Sequence, residues 1–303
     1  MSNAIGIFAQ HRAHLLSIAY RMLGEMAAAE DVVQEAWLRW QNADADAIRD
    51  PRAWLSTAAV RLSLDALRRA RARRETYVGP WLPEPLLPDD LRAMAADSPA
   101  DHAELASDLS LALLHVLERL SPEERAALIL HDAFDCKYAE IAGTLGKSEA
   151  ACRKLVSRAR ERVKRDRPRY SISPDQHRAM LEKFAAATLE ADAEKLAALF
   201  APEVIVYTDG GGRVLAALNP IYGPDKSARF IAGLSRKFYS VNPTIPVLAE
   251  LSGRPAIALT LDGALHSTLS IETDGEKITA VYVMRNPEKL QRMERARAPH
   301  PPH

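Results

Sequence analysis

The chain is poor in cysteine, lacks a long apolar run and carries no net charge. Two cysteines in 303 residues, Cys136 and Cys152, exclude a disulfide scaffold. Both fall in helical segments without metal-ligand spacing, so they read as small buried residues, and a reducing cytoplasm is expected. No charged start followed by an apolar core opens the chain, so no signal peptide is expected. No apolar run approaches the ~20 residues of a membrane-spanning helix, so no membrane contact is expected. The end, RARAPHPPH, is Pro-rich, and His300 and His303 read as a frayed terminus rather than a metal site. No cofactor or metal site is expected.

The zero net charge conceals two basic patches. Arg52 to Arg74 holds seven Arg against Asp65, a balance of +6. Lys147 to Arg169 holds ten basic and three acidic residues. Glu75 to Gly146, between them, has fourteen acidic and four basic residues, a balance of −10. Two patches suggest two contacts on one polyanion.

The stretch from Ser121 to Arg165 organises the rest. Ser121-Pro122-Glu123-Glu124 is a helix start with Ser as N-cap and Pro at the first helical position. A second helix fits Tyr138 to Leu145, with Ile141, Ala142 and Leu145 inward, and Gly146 makes the turn. Ser148 caps a third helix, in which Cys152, Leu155, Val156, Ala159 and Val163 share one face. The other face carries Arg153, Lys154, Ser157, Arg158, Arg160 and Lys164. This is the pattern of a helix-turn-helix whose last helix enters the major groove.

Residues 5–74 read as all helix. Phe8, Leu15, Ile18, Ala19 and Met22 form one apolar face, ending at Gly24. Ala28 to Trp40 buries Val32, Val33, Ala36, Trp37 and Trp40 and shows Glu30, Asp31, Gln34, Glu35 and Arg39. That acidic face suits a basic protein partner. Pro51 opens a third helix that packs Trp54, Leu55, Ala58, Ala59, Leu62 and Leu67 and turns Arg61, Arg68, Arg69 and Arg71 outward. Its aromatics are few, and Trp54 reads as core.

The order of AEDVVQEAWLRW, PRAWLSTAAVRLSLDALRR, LSPEERAALIL and a helix-turn-helix ending in RARERVK resembles bacterial RNA polymerase sigma factors of the extracytoplasmic-function type. The resemblance implies core RNA polymerase (β′ clamp and β flap) and promoter DNA as partners. It places Asp31, Gln34, Glu35 and Trp37 on the polymerase clamp. The loop from Asn42 to Asp50 and the helix bearing Arg61, Asp65, Arg68 and Arg69 fall where the family melts and reads the minus-ten element. Ser148, Ala150, Arg153, Lys154, Ser157, Arg158 and Arg160 fall in the reader of the minus-thirty-five element. The polymerase performs the chemistry, so the chain is expected not to be an enzyme.

In the linker, YVGPWLPEPLLPDD disfavours helix, and Trp81 and Leu82 are costly to expose. An extended Pro segment loses little entropy on docking and presents an aromatic anchor. Beyond residue 174 two helices, Gln176 to Leu189 and Ala193 to Phe200, precede VIVYTDGGGR. A short helix near Asp225 to Leu234 and the strand-like IPVLAELS, RPAIALTL, ALHSTLSIET and KITAVYVM follow. Thr273-Asp274-Gly275-Glu276 reads as a hairpin turn. The expected fold class is multidomain: all-α sigma region two, all-α region four, then an α+β domain with a curved antiparallel sheet. The last part resembles the SnoaL-like cone fold. The expected boundaries are 1–74, a linker at 75–107, 108–168, 174–290, and a disordered tail at 291–303.

The whole resembles the sigma-factor group with a C-terminal SnoaL-like extension. Its linker and extension motifs match at Tyr77 to Pro85, at Asp209 to Arg213 (DGGGR) and at Asn286 to Leu290 (NPEKL), where the group often has Asp at the Glu288 position. The resemblance implies that the fused domain modulates the sigma part and that no separate anti-sigma protein is needed. As sites it implies Trp81, Leu82, Pro83, Glu84 and Pro85; Asp209, Gly210, Gly211, Gly212 and Arg213; and Asn286, Pro287, Glu288, Lys289 and Leu290. Docking is expected to join the linker to DGGGR, with Glu84 paired to Arg213. A second reading gives the cone a small-molecule ligand or isomerase- or hydrolase-type chemistry, with Asp209, His266 or Tyr222 as base. Three glycines after Asp209 favour close backbone approach instead. A third reading, a ligand-sensing helix-turn-helix repressor, leaves the acidic helix and the second basic helix unexplained.

Overall fold

The computed structural model describes residues 2–44, 47–74, 77–95, 109–166, 172–238 and 244–297. The chain divides into two compact units. The first joins Met1–Thr76 to Pro88–Arg167, and the second joins Tyr77–Leu87 to Pro168–His303. Of the stretch expected to link the two sigma regions (75–107), Tyr77–Leu87 is thus part of the last domain's unit, while Pro88–Met94 belongs to the first.

The first unit is helical. Helices α1 (Ser2–Leu23), α2 (Met26–Gln41) and α3 (Pro51–Arg74) pack on one another, and α4 (Pro88–Met94) packs on α1. Gly24 ends α1 at φ 70°, a left-handed conformation that a side chain would strain. Leu15, Ile18, Ala19 and Met22 of α1 are fully buried, each large one giving about 1.5–3 kcal/mol. Helices α5 (Leu111–Leu117), α6 (Pro122–Asp132), α7 (Tyr138–Leu145) and α8 (Glu149–Asp166) follow. At the start of α6, the Glu124 amide donates to Ser121 Oγ at 3.3 Å and the Ser121 amide donates to Glu124 Oε2 at 3.0 Å. That reciprocal cap stabilises the first turn by about 1 kcal/mol.

The two helical groups of this unit are packed together. Arg125 of α6 is buried and donates to Met22 O and Glu118 Oε1, each at 2.6 Å. The His14 ring meets Phe134 edge-on at 4.8 Å, and its Nε2 is 2.9 Å from Ser56 Oγ. Burial, then Arg52 and His11, lowers the His14 pKa to about 4; burial and then Arg119 bring His115 to about 4. Between pH 6.5 and about 4 the unfolded chain therefore binds protons that the folded chain does not. The stability these rings contribute is complete above pH 6.5 and is lost as pH falls toward 4. This unit's unfolding free energy, measured by denaturant titration, is expected to fall by about 4 kcal/mol between pH 7.5 and pH 5, about 2 from each ring.

The second unit is α+β. Helices α9 (Pro174–Leu189) and α10 (Ala193–Leu199) lead into β1 (Phe200–Asp209) and β2 (Ile221–Tyr222). Helix α11 (Pro224–Phe238), strands β3 (Thr244–Leu251), β4 (Arg254–Leu261), β5 (Ala264–Thr273) and β6 (Ile278–Met284), and helix α12 (Pro287–Arg297) complete it. The sheet order is β2-β1-β6-β5-β4-β3. Register shifts within β4–β5 and β5–β6 bend the strands. Phe184, Leu196, Val206, Ile231, Leu269 and Val281 belong to the core between the sheet and the helices.

Two points differ from expectation. The sheet is mixed rather than antiparallel, because β1 pairs with β6 in parallel, with Asp209 beside Met284. The boundary expected at residue 290 falls inside α12, which continues to Arg297 because Leu290 and Met293 are buried. The tail residues 298–303 and the linker residues 96–108 lie outside the described residues, as does part of the loop from Asn42 to Asp50.

Candidate nucleic-acid surface and linker clasp

The turn between α7 and α8 is built as its residues dictate. Gly146 caps α7 at φ 64°, and Ser148 Oγ accepts from the Ala151 amide at 3.2 Å. Cys152, Val156 and Ala159 of α8 are buried, while Ser148, Ala150, Arg153, Lys154, Ser157, Arg158 and Arg160 are exposed. Two of the cations are already held within the unit. Arg153 donates to Glu149 at 3.0 Å and lies 5.0 Å over the Tyr138 ring, which pre-orients it. Arg160 forks onto Asp132 of α6, with Nε 3.1 Å from Oδ2. Its assignment to the DNA-facing set therefore competes with a scaffold contact.

On α2, Asp31, Gln34 and Glu35 are exposed, and Trp37 is half-buried, 4.9 Å from the Phe8 ring. On α3, Arg69 is exposed, and Arg68 pairs with Asp65 at 3.0 Å. Arg61 points elsewhere. Its Nε and Nη2 donate to Thr144 O and Gly143 O, each at 3.0 Å, at the C-terminal end of α7. A guanidinium there satisfies carbonyls that the helix leaves unpaired. Thr57, one turn earlier, has its hydroxyl 3.2 Å from that of Thr144. A basic side chain expected on DNA is thus occupied by the turn of the helix-turn-helix.

In the second unit the three expected motifs converge on Asp209. The parallel β1–β6 pairing puts the ends of both strands side by side, so DGGGR and NPEKL leave the sheet together. The Asp209 carboxylate is fully buried and accepts four donors. These are Tyr77 Oη, the Leu82 amide at 3.0 Å, the Gly211 amide at 3.0 Å and Lys289 Nζ at 2.8 Å. Lys289 also donates to Leu82 O and sits 4.0 Å from the Trp81 ring centroid. Asn286 Nδ2 donates to Tyr77 Oη at 3.0 Å. The stretch Tyr77–Leu87 is thereby strapped to the domain, and Leu82, Pro83, Glu84 and Pro85 are buried in it.

The glycines permit close approach. A Cβ on Gly211 (φ +65°) would lie 2.6 Å from Asn286 Cγ, and one on Gly210 would lie 2.5 Å from Val214 O. Gly211→Ala is expected to destabilise this unit by about 2 kcal/mol through left-handed strain and displacement of Asn286. Urea unfolding of the variant checks it. Gly212 and Pro287 lie at the exposed rim, and Leu290 is buried.

The expected Glu84–Arg213 pair does not form. Buried Glu84 pairs with Arg292, one residue short of a helical turn beyond Lys289 on α12. Arg213 pairs with Glu288 where both side chains are 65% exposed, an interaction of little energetic weight. Arg292 was missed because it lies beyond the motif, although its i+3 spacing from Lys289 places both on one helix face. Ser252, in the β3–β4 turn, was missed too. Its Oγ accepts from the Leu86 amide at 3.1 Å and its amide donates to Leu86 O at 2.7 Å.

The three residues considered as a general base sit in separate settings. Asp209 is taken up by the strap, Tyr222 is 61% exposed on β2, and His266 lies 3.0 Å from Arg285 Nη2.

Comparison with known proteins matches the two helical regions of the first unit to two family models, in the expected order. Residues 7–73 match the family model for Sigma-70 region 2, and residues 110–163 match Sigma-70, region 4. The chain is 41% identical over 288 residues to the ECF RNA polymerase sigma factor SigJ of Mycobacterium tuberculosis, covering 92% of this chain and 90% of that one. It is 33% identical over 282 residues to the probable ECF RNA polymerase sigma factor SigI of the same species, covering 92% of each. Among solved structures, the crystal structure of M. tuberculosis SigJ superposes with a TM-score of 0.72 at 36% identity, covering 95% of this chain and 98% of that one.

Proposed function

The chain belongs to the extracytoplasmic-function RNA polymerase sigma factors, and we propose that it performs that role by switching between a closed and an open form. In this reading region two binds the polymerase clamp through Asp31, Gln34, Glu35 and Trp37. The Arg-bearing faces of α3 and α8 hold the two promoter elements, and the strapped last domain sets which form prevails.

The observation that carries it is Arg61 on the α7 carbonyls. The minus-ten and minus-thirty-five elements lie roughly 25 base pairs apart, about 85 Å of duplex. A compact unit of roughly 150 residues is about 40 Å across. Regions packed as they are here cannot reach both elements, so the closed form is silent. Opening frees Arg61 for the DNA backbone. It also requires reach from the connection between the regions, eleven residues of which, Tyr77–Leu87, are held by the clasp. Their release supplies up to about 36 Å. A two-state equilibrium of this kind shifts only by the difference in affinity that polymerase, DNA or a ligand has for the two forms.

Run-off transcription with purified core polymerase, on a promoter selected from a random library, tests this. The full chain is expected to support initiation, and Arg153→Ala with Lys154→Ala is expected to reduce it by about 10-fold or more through lost phosphate and base contacts. Binding of duplex promoter without polymerase, and no transcription with it, would instead favour a repressor.

A further inference from the structure

Helix α11 bears a concentration of positive charge that neither sigma region accounts for. It holds Lys226, Arg229, Arg236 and Lys237 against one acid, Asp225, a balance of +3. At 3.6 residues per turn the four cations fall within an arc of about 100°. All four are exposed. Ser227, Ala228, Ile231, Ala232 and Ser235 are buried on the opposite side, so packing fixes the helix with its basic face outward. Among the described residues, Lys226 and Arg229 have no ion-pair partner, Asp225 included. Elsewhere on this unit Lys195 is held by Glu190 and Asp192, and Arg254 by Glu272. Gly233 lies at the centre of the basic arc and is exposed. A Cβ added there would meet nothing within 4 Å, so the packing of the domain does not call for a glycine. In a helix interior it costs stability relative to alanine. Bare backbone in the middle of a basic face suits close approach by another backbone.

We propose that this face binds the phosphates of duplex DNA and gives the last domain a DNA contact of its own, beside those of regions two and four. Lys226 and Arg229 make one pair of cations and Arg236 and Lys237 another, about 13 Å apart along the helix axis. The two strands of a duplex face each other across a major groove about 12 Å wide. The helix therefore spans the groove with a cation pair on each rim and Gly233 between them. Contacts of this kind hold the backbone and carry no sequence information. A third contact on a duplex that two other regions already hold binds at high effective concentration, so even a weak one adds affinity. That the duplex is a promoter rests on the proposed sigma role; the phosphate contact does not.

The probe is a fluorescently labelled duplex of about 30 base pairs without a promoter, and binding to the full chain is followed by anisotropy from about 50 to 200 mM sodium chloride, without polymerase. Lys226→Gln, Arg229→Gln, Arg236→Gln and Lys237→Gln combined are expected to weaken binding about 10-fold or more at the low-salt end. They are also expected to flatten the slope of log affinity against log salt by about 3, since each phosphate contact contributes about 0.9. Gly233→Glu sets a negative charge at the centre of the face while favouring helix. It is expected to weaken binding several-fold with the thermal midpoint of unfolding unchanged or raised. Unchanged affinity and slope in the fourfold variant would overturn the proposal. So would a loss confined to affinity for core polymerase, which would make the face a protein-docking surface. An equal loss on one strand of the same sequence would overturn the groove-spanning arrangement. Run-off transcription by the parent chain tests the sigma role separately, because duplex binding is read without polymerase.

Discussion

A chain carrying Thr57→Cys and Thr144→Cys is expected to lose run-off transcription on oxidation and to regain it on reduction. The two hydroxyls lie 3.2 Å apart, so thiols at these positions meet within bonding range after a small shift. The link spans α3 and α7, the same pair of helices that Arg61 joins. A covalent bond there removes the open form altogether, so the loss is expected to be on the order of 100-fold or more. The parent chain, oxidised in parallel, controls for Cys136 and Cys152. If the bridged protein transcribes as well as the reduced one, region two and region four do not need to separate, and the closed form is not an inhibited state.

Lys289→Met has the second large effect. Methionine keeps the aliphatic length and removes the ammonium that meets Asp209 at 2.8 Å and donates to Leu82 O. Asp209 is 0% exposed, so the variant leaves a buried carboxylate with its hydrogen-bond donors but without its counter-ion. Removing one partner of such a pair typically costs about 3–5 kcal/mol. The second unit's unfolding free energy is expected to fall by that amount. Chymotrypsin cleavage within Tyr77–Leu87 is expected to accelerate several hundred-fold or more, following the lower opening free energy. Adding Asp209→Asn removes the unpaired charge, and the double variant is expected to recover more than half of the loss. Equal instability of the single and double variants would show that Lys289 acts through packing on Trp81 and not through charge.

Local instructions were readable where a residue's own chemistry fixes its backbone. The cap at Ser121, the turn at Gly146 and the cap at Ser148 are short-range, and the helices begin and end there. The DGGGR glycines were also readable, since three in succession leave space that something must fill; the filler at Gly211 is Asn286. What could not be read is long-range pairing. Nothing in β1 or β6 alone says that they run parallel, yet that register is what brings residue 209 beside residue 284. Charge complementarity suggested Glu84 with Arg213, but sequence carries no direction for a side chain on a turn. The partner proved to be Arg292, on the buried face of α12. Arg61 shows the same limit. An outward-facing cation is legible as such, whereas its occupation by two helix-end carbonyls depends on how the helical groups pack.

The most direct test of the account is run-off transcription by core polymerase with the full chain and with full-length Lys289→Met, at equal concentration and below the variant's melting temperature. Release of the strap is predicted to raise transcription several-fold, because the region-two and region-four helices gain the reach that the clasp withholds. Transcription that is unchanged or lower in Lys289→Met, with the strap shown by chymotrypsin to be released, would contradict the claim that the clasp keeps the sigma regions closed.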